Sequence, residues 1–292
     1  MTVLITGANG QLGRELQRAA WPDDVSVTAL ASAELDITNA DAVTETVARI
    51  KPGVIVNAAA YTGVDTAEDE EERATLVNAT AVGHLAAAAD AVSAALVHVS
   101  TDYVFDGSKT TWYVEDDPLT PIGAYGRSKA AGETAALTAE RSVVLRTAWV
   151  YGALGSNFVT TMLRLASERD VLGVVDDQYG CPTATADIAA AIVRVCEAFA
   201  HGAAPPERIY HVCSPEDASW HEFAMATFEH SVHGFNGVCN KLTTPEYPTK
   251  ATRPPNSRLD SSRLRRDFDL TLPSWRVSLP LVVAELQQQD PA

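Results

Sequence analysis

The chain predicts an α/β fold built on a doubly wound parallel sheet, with a smaller α/β lobe towards the C-terminus. Three observations carry that expectation. Short β-rich runs alternate with longer Ala-rich helical stretches through the first half, several of those runs are apolar without interruption, and a glycine cluster separates the first run from the first helix. Alternating β and α segments imply parallel strands joined by helical crossovers. An uninterrupted apolar run suits a strand covered by helices on both faces.

Taken in order, Val3 to Thr6 reads as a strand and Gln11 to Ala20 as a helix. Val25 to Leu30 is the second strand, Asp41 to Ile50 the second helix and Val54 to Ala58 the third strand. Arg73 to Ala89 is a long helix, Leu96 to Ser100 a fourth strand, Ala124 to Ala139 a helix and Val143 to Thr147 a fifth strand. Residues 1–150 are therefore expected to form the sheet domain. Beyond Tyr151-Gly152 the pattern loosens and prolines become common, at Pro205-Pro206, Pro245, Pro248, Pro254-Pro255 and Pro273. Residues 151–292 read as the loop-rich lobe, with Val171 to Val175 and Asp187 to Phe199 returning to the main sheet. Asp65 to Glu72 is an acidic run that reads as a solvated helix start, placed where acids complement the helix dipole.

Composition narrows the function. The 292 residues are 46% hydrophobic and 21% charged, enough apolar material for a full core. No apolar run reaches the roughly 18 residues of a membrane span, and the N-terminus lacks the basic flank and long apolar stretch of a signal peptide. A cytoplasmic protein is the expectation. With 22 basic against 38 acidic side chains the net charge is −16, a surface that repels nucleic acid and anionic lipid. Cys181, Cys196, Cys213 and Cys239 include no C-x-x-C pair and read as buried free thiols.

Gly7-Ala8-Asn9-Gly10-Gln11-Leu12-Gly13 gives a G-x-x-G-x-x-G loop between the first strand and first helix. Gly7 permits the turn, Gly10 lets the backbone approach a pyrophosphate, and Gly13 lets the helix lie close to the strand. A Rossmann-like dinucleotide site follows, with phosphates facing the helix N-terminus. The second strand ends Ala29-Leu30-Ala31-Ser32 without an acid to bind the adenosine ribose. That admits NADPH, with Ser32 a donor to its phosphate, or NADH, and Asp36-Ile37 lies where side chains bracket an adenine.

Tyr125-Gly126-Arg127-Ser128-Lys129 is Y-x-x-x-K on a helix, so both side chains share one face. The plain alternative is an exposed helix pair. The helix follows the fourth strand, however, and ligands bind at the carboxyl ends of strands in such sheets. Reducing a carbonyl by hydride makes an alkoxide that needs a proton. A neighbouring ammonium would lower the pKa of the Tyr125 phenol and make it a usable acid. Thr101, closing the fourth strand, is the expected third donor to the carbonyl oxygen. Trp149 offers a flat apolar wall for a sugar ring or a base.

The glycine loop, Asn57-Ala58-Ala59-Ala60-Tyr61, Ser100-Thr101-Asp102-Tyr103-Val104-Phe105-Asp106-Gly107 and Tyr125…Lys129 occur in that order, and together they resemble the extended short-chain dehydrogenase/reductases over nearly the whole chain. Arg146-Thr147-Ala148-Trp149-Val150-Tyr151-Gly152, Asp177-Gln178-Tyr179-Gly180-Cys181-Pro182-Thr183 and Arg253-Pro254-Pro255-Asn256-Ser257 are most similar to the branch that reduces the C4 ketone of thymidine-diphosphate-linked 6-deoxy sugars. The resemblance implies Thr101, Tyr125 and Lys129 as a catalytic triad. It implies cofactor contacts at Gln11, Leu12, Asp36, Ile37, Ala58, Ala59, Ala60, Tyr61 and Lys129. It implies sugar-nucleotide contacts at Thr101, Asp102, Tyr103 and Trp149, and Arg253 offsets phosphate charge. Tyr103 stands where the 4,6-dehydratases of the superfamily carry the Glu used for elimination, which leaves simple reduction. Some members dimerise through Mg²⁺ held by glutamates. Glu15 fits the first-helix ligand, but Ala184-Thr185-Ala186-Asp187 lacks the second Glu, so a monomer and a homodimer both stay open. Two other functions also stay open: a different sugar-nucleotide reductase or epimerase, and a non-catalytic dinucleotide-binding regulatory subunit.

Overall fold

The computed structural model describes residues 1–200 and 205–289. The first half runs β1 (Thr2–Thr6), α1 (Gln11–Arg18), β2 (Ser26–Leu30), α2 (Ala40–Ile50) and β3 (Val54–Asn57). A long helix follows as α3 (Glu71–Thr75) and α4 (Ala81–Ala91), joined by a π-helical turn over Leu76–Thr80. Then come β4 (Ala95–Thr101), α5 (Ala124–Ala136) and β5 (Ser142–Thr147). The lobe adds β6 (Val150–Tyr151), α6 (Phe158–Glu168), β7 (Val171–Val175), β8 (Tyr179–Gly180), β9 (Thr183–Ala184) and α7 (Thr185–Ala200). It continues with β10 (Ile209–His211), β11 (Ala218–Ser219), α8 (Trp220–His230), β12 (Val238–Leu242), α9 (Ser262–Phe268) and α10 (Trp275–Gln289).

The main sheet has six parallel strands in the order β10-β5-β4-β3-β1-β2. Its strands are apolar on both sides because both sides are covered. Val3, Ile5, Val54, Val56, Val97 and Val143 meet α1 and α7 residues such as Leu16, Ile188 and Ile192 on one face. Leu4, Ile55, Leu96 and Val144 meet Val43, Val47, Leu85 and Ala136 from α2, α4 and α5 on the other. Each fully buried aliphatic side chain contributes roughly 1.5–3 kcal/mol. The chain leaves β1 in one direction for β2 and returns on the other side for β3, so the strand order reverses between β1 and β3, the place where such sheets bind ligands.

Two expectations change. Val171–Val175 does not rejoin the main sheet; β7 pairs with β12 in a separate two-stranded ribbon. The sixth sheet strand is β10, beside β5. By contrast, α7 does return and covers the sheet. The lobe has its own core, in which Tyr151, Phe223, Trp275 and Leu279 pack together. Cys181, Cys196 and Cys213 are buried free thiols, whereas Cys239 is only half-buried, on the short β7–β12 ribbon. Among the described residues no helix is long and apolar enough to cross a membrane.

Candidate active site

The glycine loop sits at the reversal between β1 and β3. Gly7 has φ +75°, and a Cβ there would lie 2.6 Å from the Ala59 nitrogen. A Cβ on Gly13 would lie 2.1 Å from the Gly7 carbonyl oxygen, so both close approaches need glycine. Gly10 caps α1 with no side-chain acceptor, leaving first-turn N–H groups for an anion. These features fit a pyrophosphate cradle. Ala58, Ala59, Ala60 and Tyr61 form the facing lip, half-buried. Gln11 is tied across to the lobe, since Asn157 donates to its Oε1 at 3.0 Å. Leu12 packs on the sheet core.

At the end of β2, Ser32 is exposed. An acid is present after all: Glu34 folds back so that its Oε2 accepts the Ala31 N–H at 2.9 Å. Asp36 accepts both the backbone and the hydroxyl of Thr38, which lowers its pKa. Ile37 turns into the core and is 6% exposed.

Thr101 ends β4 and Asp102 follows it, both buried. The Thr101 hydroxyl donates to Asp102 Oδ1 at 2.8 Å and accepts the Tyr103 N–H at 3.2 Å, and Tyr125 lies close enough for Thr101 to act on its phenol. Asp102 Oδ2 is buried with no partner. Burial pushes the Asp102 carboxyl up to about 6, and the hydrogen bond from Thr101 opposes the shift. Tyr103 and Tyr125 meet edge to face at 5.6 Å, and burial raises both phenols.

Tyr125 is pushed up to about 12, by burial first and then by the Asp102 charge, with Thr101 opposing. The expected lowering by Lys129 is therefore reversed. Burial and the Asp102 charge raise the phenol, and the ammonium does not offset them because it is engaged elsewhere: Lys129 Nζ donates to the Val99 carbonyl at 2.7 Å and lies 3.5 Å from His98 Nε2. Burial lowers Lys129 to about 8, and nearby Glu133 opposes the shift.

Several residues behind this site were missed as functional. Asn78, in the π-helical turn, exchanges hydrogen bonds with the Tyr61 backbone and donates to Ser128 Oγ, which donates to the Tyr125 carbonyl. It fastens the cofactor-side lip to α5. Glu133, two turns beyond Tyr125, is buried and accepts from Arg146 Nε and Nη2 and from Ser100. The acidic run is not a bare solvated face. Glu68 caps α5 through the Ala124 N–H, Glu71 pairs with Arg127, and Asp65 pairs with Arg253.

Arg253 keeps one donor, Nη1, buried and unpartnered while Nη2 holds Asp65 at 2.7 Å. Trp149 adopts φ +45° and donates from Nε1 to Ser257 at 3.1 Å. One face of its ring is stacked on Trp220, with centroids 3.4 Å apart. Strained φ at a non-glycine residue is a feature of binding sites. Glu15 is buried in α1, where its carboxylate accepts from Arg18 and Thr185. Arg18 also binds Glu285, so a guanidinium bridges these two acids. Among the described residues no group of three or more His, Cys, Asp or Glu is placed to hold a metal ion.

A glycine cradle at the strand reversal, with a Y-x-x-x-K helix beside the end of β4, defines the architecture of the extended short-chain dehydrogenase/reductases. Residues 1–288 match the family described as the RmlD substrate binding domain, and the chain belongs to that family. It is 46% identical to the dTDP-4-dehydrorhamnose reductase of Aggregatibacter actinomycetemcomitans over 283 residues, 95% of this chain and 96% of the relative. It is 42% identical to that of Shigella flexneri over 302 residues, 98% of each chain. A solved dTDP-4-dehydrorhamnose reductase of Bacillus anthracis, in complex with NADP, superposes with TM-score 0.91 at 38% identity, covering 97% of this chain and 99% of that one.

Proposed function

We propose that the chain reduces the C4 ketone of dTDP-4-dehydro-6-deoxy-L-mannose to the hydroxyl of dTDP-L-rhamnose, with NADPH or NADH as reductant, the reaction for which the relatives above are named. The observation that carries this reading is the meeting of Thr101, Tyr125 and the unpartnered Asp102 oxygen at the carboxyl end of β4.

A reduced nicotinamide, when bound, supplies hydride to the C4 carbon. Thr101 turns its hydroxyl from Asp102 Oδ1 to the carbonyl oxygen, and Tyr125 gives that oxygen its phenolic proton. One hydride and one proton complete the reduction. A phenol held near 12 is fully protonated at rest, so the acid is loaded before substrate arrives. Lys129 anchors the ribose hydroxyls with the N–H not given to Val99. The free oxygen of Asp102 accepts from a sugar hydroxyl, Tyr103 and Trp149 wall the sugar, and Arg253 Nη1 meets the diphosphate. On the cofactor side we assign the Gly7–Gly13 loop, Ser32, Asp36, the Ile37 backbone and Ala58 to Tyr61.

The same reading sets the enzyme in the cytoplasm, acting on a sugar nucleotide as a monomer or homodimer, with no nucleic-acid or membrane partner. A Mg²⁺-bridged dimer through Glu15 requires its carboxylate to leave Arg18. Tyr125→Phe tests the assignment: turnover falls roughly 10²–10⁴-fold while cofactor affinity stays. Retained turnover sinks it. Thymidine-, uridine- and guanosine-linked ketosugars separate this activity from that of other reductases and epimerases. Tight NADPH binding with no oxidation by any ketosugar marks a regulatory subunit instead.

A further inference from the structure

A row of polar side chains crosses the otherwise apolar sheet. Thr6, Asn57 and His98 are register partners on β1, β3 and β4, and all three are buried. The Thr6 hydroxyl donates to Asn57 Oδ1 at 2.7 Å, and the Ala59 N–H donates to the same oxygen at 3.2 Å. The Ala59 N–H fixes the amide, because it can only donate and a flip would turn the NH₂ onto it. Asn57 Nδ2 is therefore the atom 3.0 Å from His98 Nδ1, and it has only hydrogens to offer. His98 Nδ1 must accept, so the proton of the neutral ring sits on Nε2. That nitrogen faces Lys129 Nζ at 3.5 Å.

We infer that His98 is a positioning residue for the reaction proposed above: its Nε2–H, locked by the Asn57 amide, faces the Lys129 nitrogen and favours the neutral amine over the ammonium. An ammonium presents only donors, so the charged state sets donor against donor. A neutral amine accepts the Nε2–H with its lone pair while still donating to Val99. His98 cannot relieve the clash by taking a second proton, because Nδ1 is occupied by Asn57 and the ring is fully buried beside a cation.

The other charged groups around Lys129 do not replace this effect. Glu133, one turn further along α5, favours the ammonium, but its carboxylate is shared with Arg146 from β5 and Ser100 from β4. Asp102, beyond β4, acts on the phenols Tyr103 and Tyr125. Tyr125, one turn back along α5, is neutral at rest.

The test reads protonation directly and so stands apart from whether the proposed reduction occurs. Long-range ¹H–¹⁵N correlation spectra of the ¹⁵N-labelled full chain distinguish the imidazole tautomers. His98 is expected as the neutral Nε2–H form at pH 7. A neutral Nδ1–H form or a protonated ring overturns the inference. In His98→Asn the carboxamide oxygen still accepts from Asn57 while the donor facing Lys129 is gone. The Lys129 midpoint, followed by ¹³Cε shifts of labelled lysine, then rises by about one pH unit, tenfold in its proton affinity. An unchanged or lower midpoint overturns the inference. If the variant fails to fold, the tautomer in the unaltered chain still decides. The predicted tautomer in a chain with no reductase activity refutes the proposed reaction and leaves the proton placement standing.

Discussion

Glu133→Gln is the perturbation whose consequence the structure lets us work out most fully. Glu133 and Arg146 are each 2% exposed, and two guanidinium nitrogens reach the two carboxylate oxygens at 2.9 and 2.7 Å. Ser100 adds a third donor at 2.6 Å. Glutamine keeps the shape but leaves one acceptor and turns two hydrogens towards donors, so the Arg146 charge is stranded in the interior. Breaking such a buried pair from one side costs about 3–5 kcal/mol. For a chain of this size that is a fall in the melting temperature of roughly 5–8 °C. Thermal unfolding followed by circular dichroism measures it. Removing both partners together, as Glu133→Leu with Arg146→Met, recovers most of the loss, because no charge is then left uncompensated. A single variant that melts within 2 °C of the parent, or a double variant worse than the single, refutes the reasoning.

Arg253→Met removes a charge-assisted donor, so KM for the sugar nucleotide rises roughly 10–100-fold with little change in kcat; steady-state kinetics check this, and an unchanged KM contradicts it. Glu34→Gln removes a negative charge at the end of β2, and the NADPH-over-NADH preference in kcat/KM rises about fivefold; an unaltered ratio places that carboxylate away from the ribose. Burial raises Asp102 from 3.8 to about 6, so across that window the native state holds a proton that the unfolded state releases. Stability therefore falls as pH rises from 4 to 6, and in Asp102→Asn that fall disappears from the urea midpoints. Lys129, lowered to about 8 by burial, gives reduction an alkaline limb near that pH, visible in a rate profile of the unaltered chain.

Much of the fold was legible because it is written in strong local patterns. Short β-rich runs, three of them apolar without interruption, announced the five strands of the first half, and the Gly7–Gly13 spacing announced the turn at the strand reversal. The sixth strand, Ile209-Tyr210-His211, was not, because three residues carry no periodicity and they follow the Pro205-Pro206-Glu207-Arg208 stretch, which reads as a loop. Val171–Val175 had a strand pattern but no signal for its partner, which is set by tertiary packing in the lobe. Thr101, Tyr125 and Lys129 stood out as candidates through chemistry and spacing, and Asp102 through the family resemblance. The direction of Lys129 was not legible, since it depends on His98 and the Val99 carbonyl from another element. A signal did exist: Asn57 and His98 are polar residues at the end of or within apolar runs, and such residues must find partners when buried. Glu133 and the Asp65–Glu72 run resembled solvated helix acids, because charge alone does not tell a solvated face from a paired one.

Transfer of an isotope tests the proposed activity most directly. The chain is incubated with enzymatically generated dTDP-4-dehydro-6-deoxy-L-mannose and NADPH carrying deuterium on C4 of the nicotinamide, each C4 epimer in turn, and the sugar product is read by NMR. One epimer is predicted to deliver its deuterium to C4 of dTDP-L-rhamnose, while the new hydroxyl takes its proton from solvent. A product without deuterium at C4 from either epimer, or no product at all from a folded, cofactor-binding chain, contradicts the account.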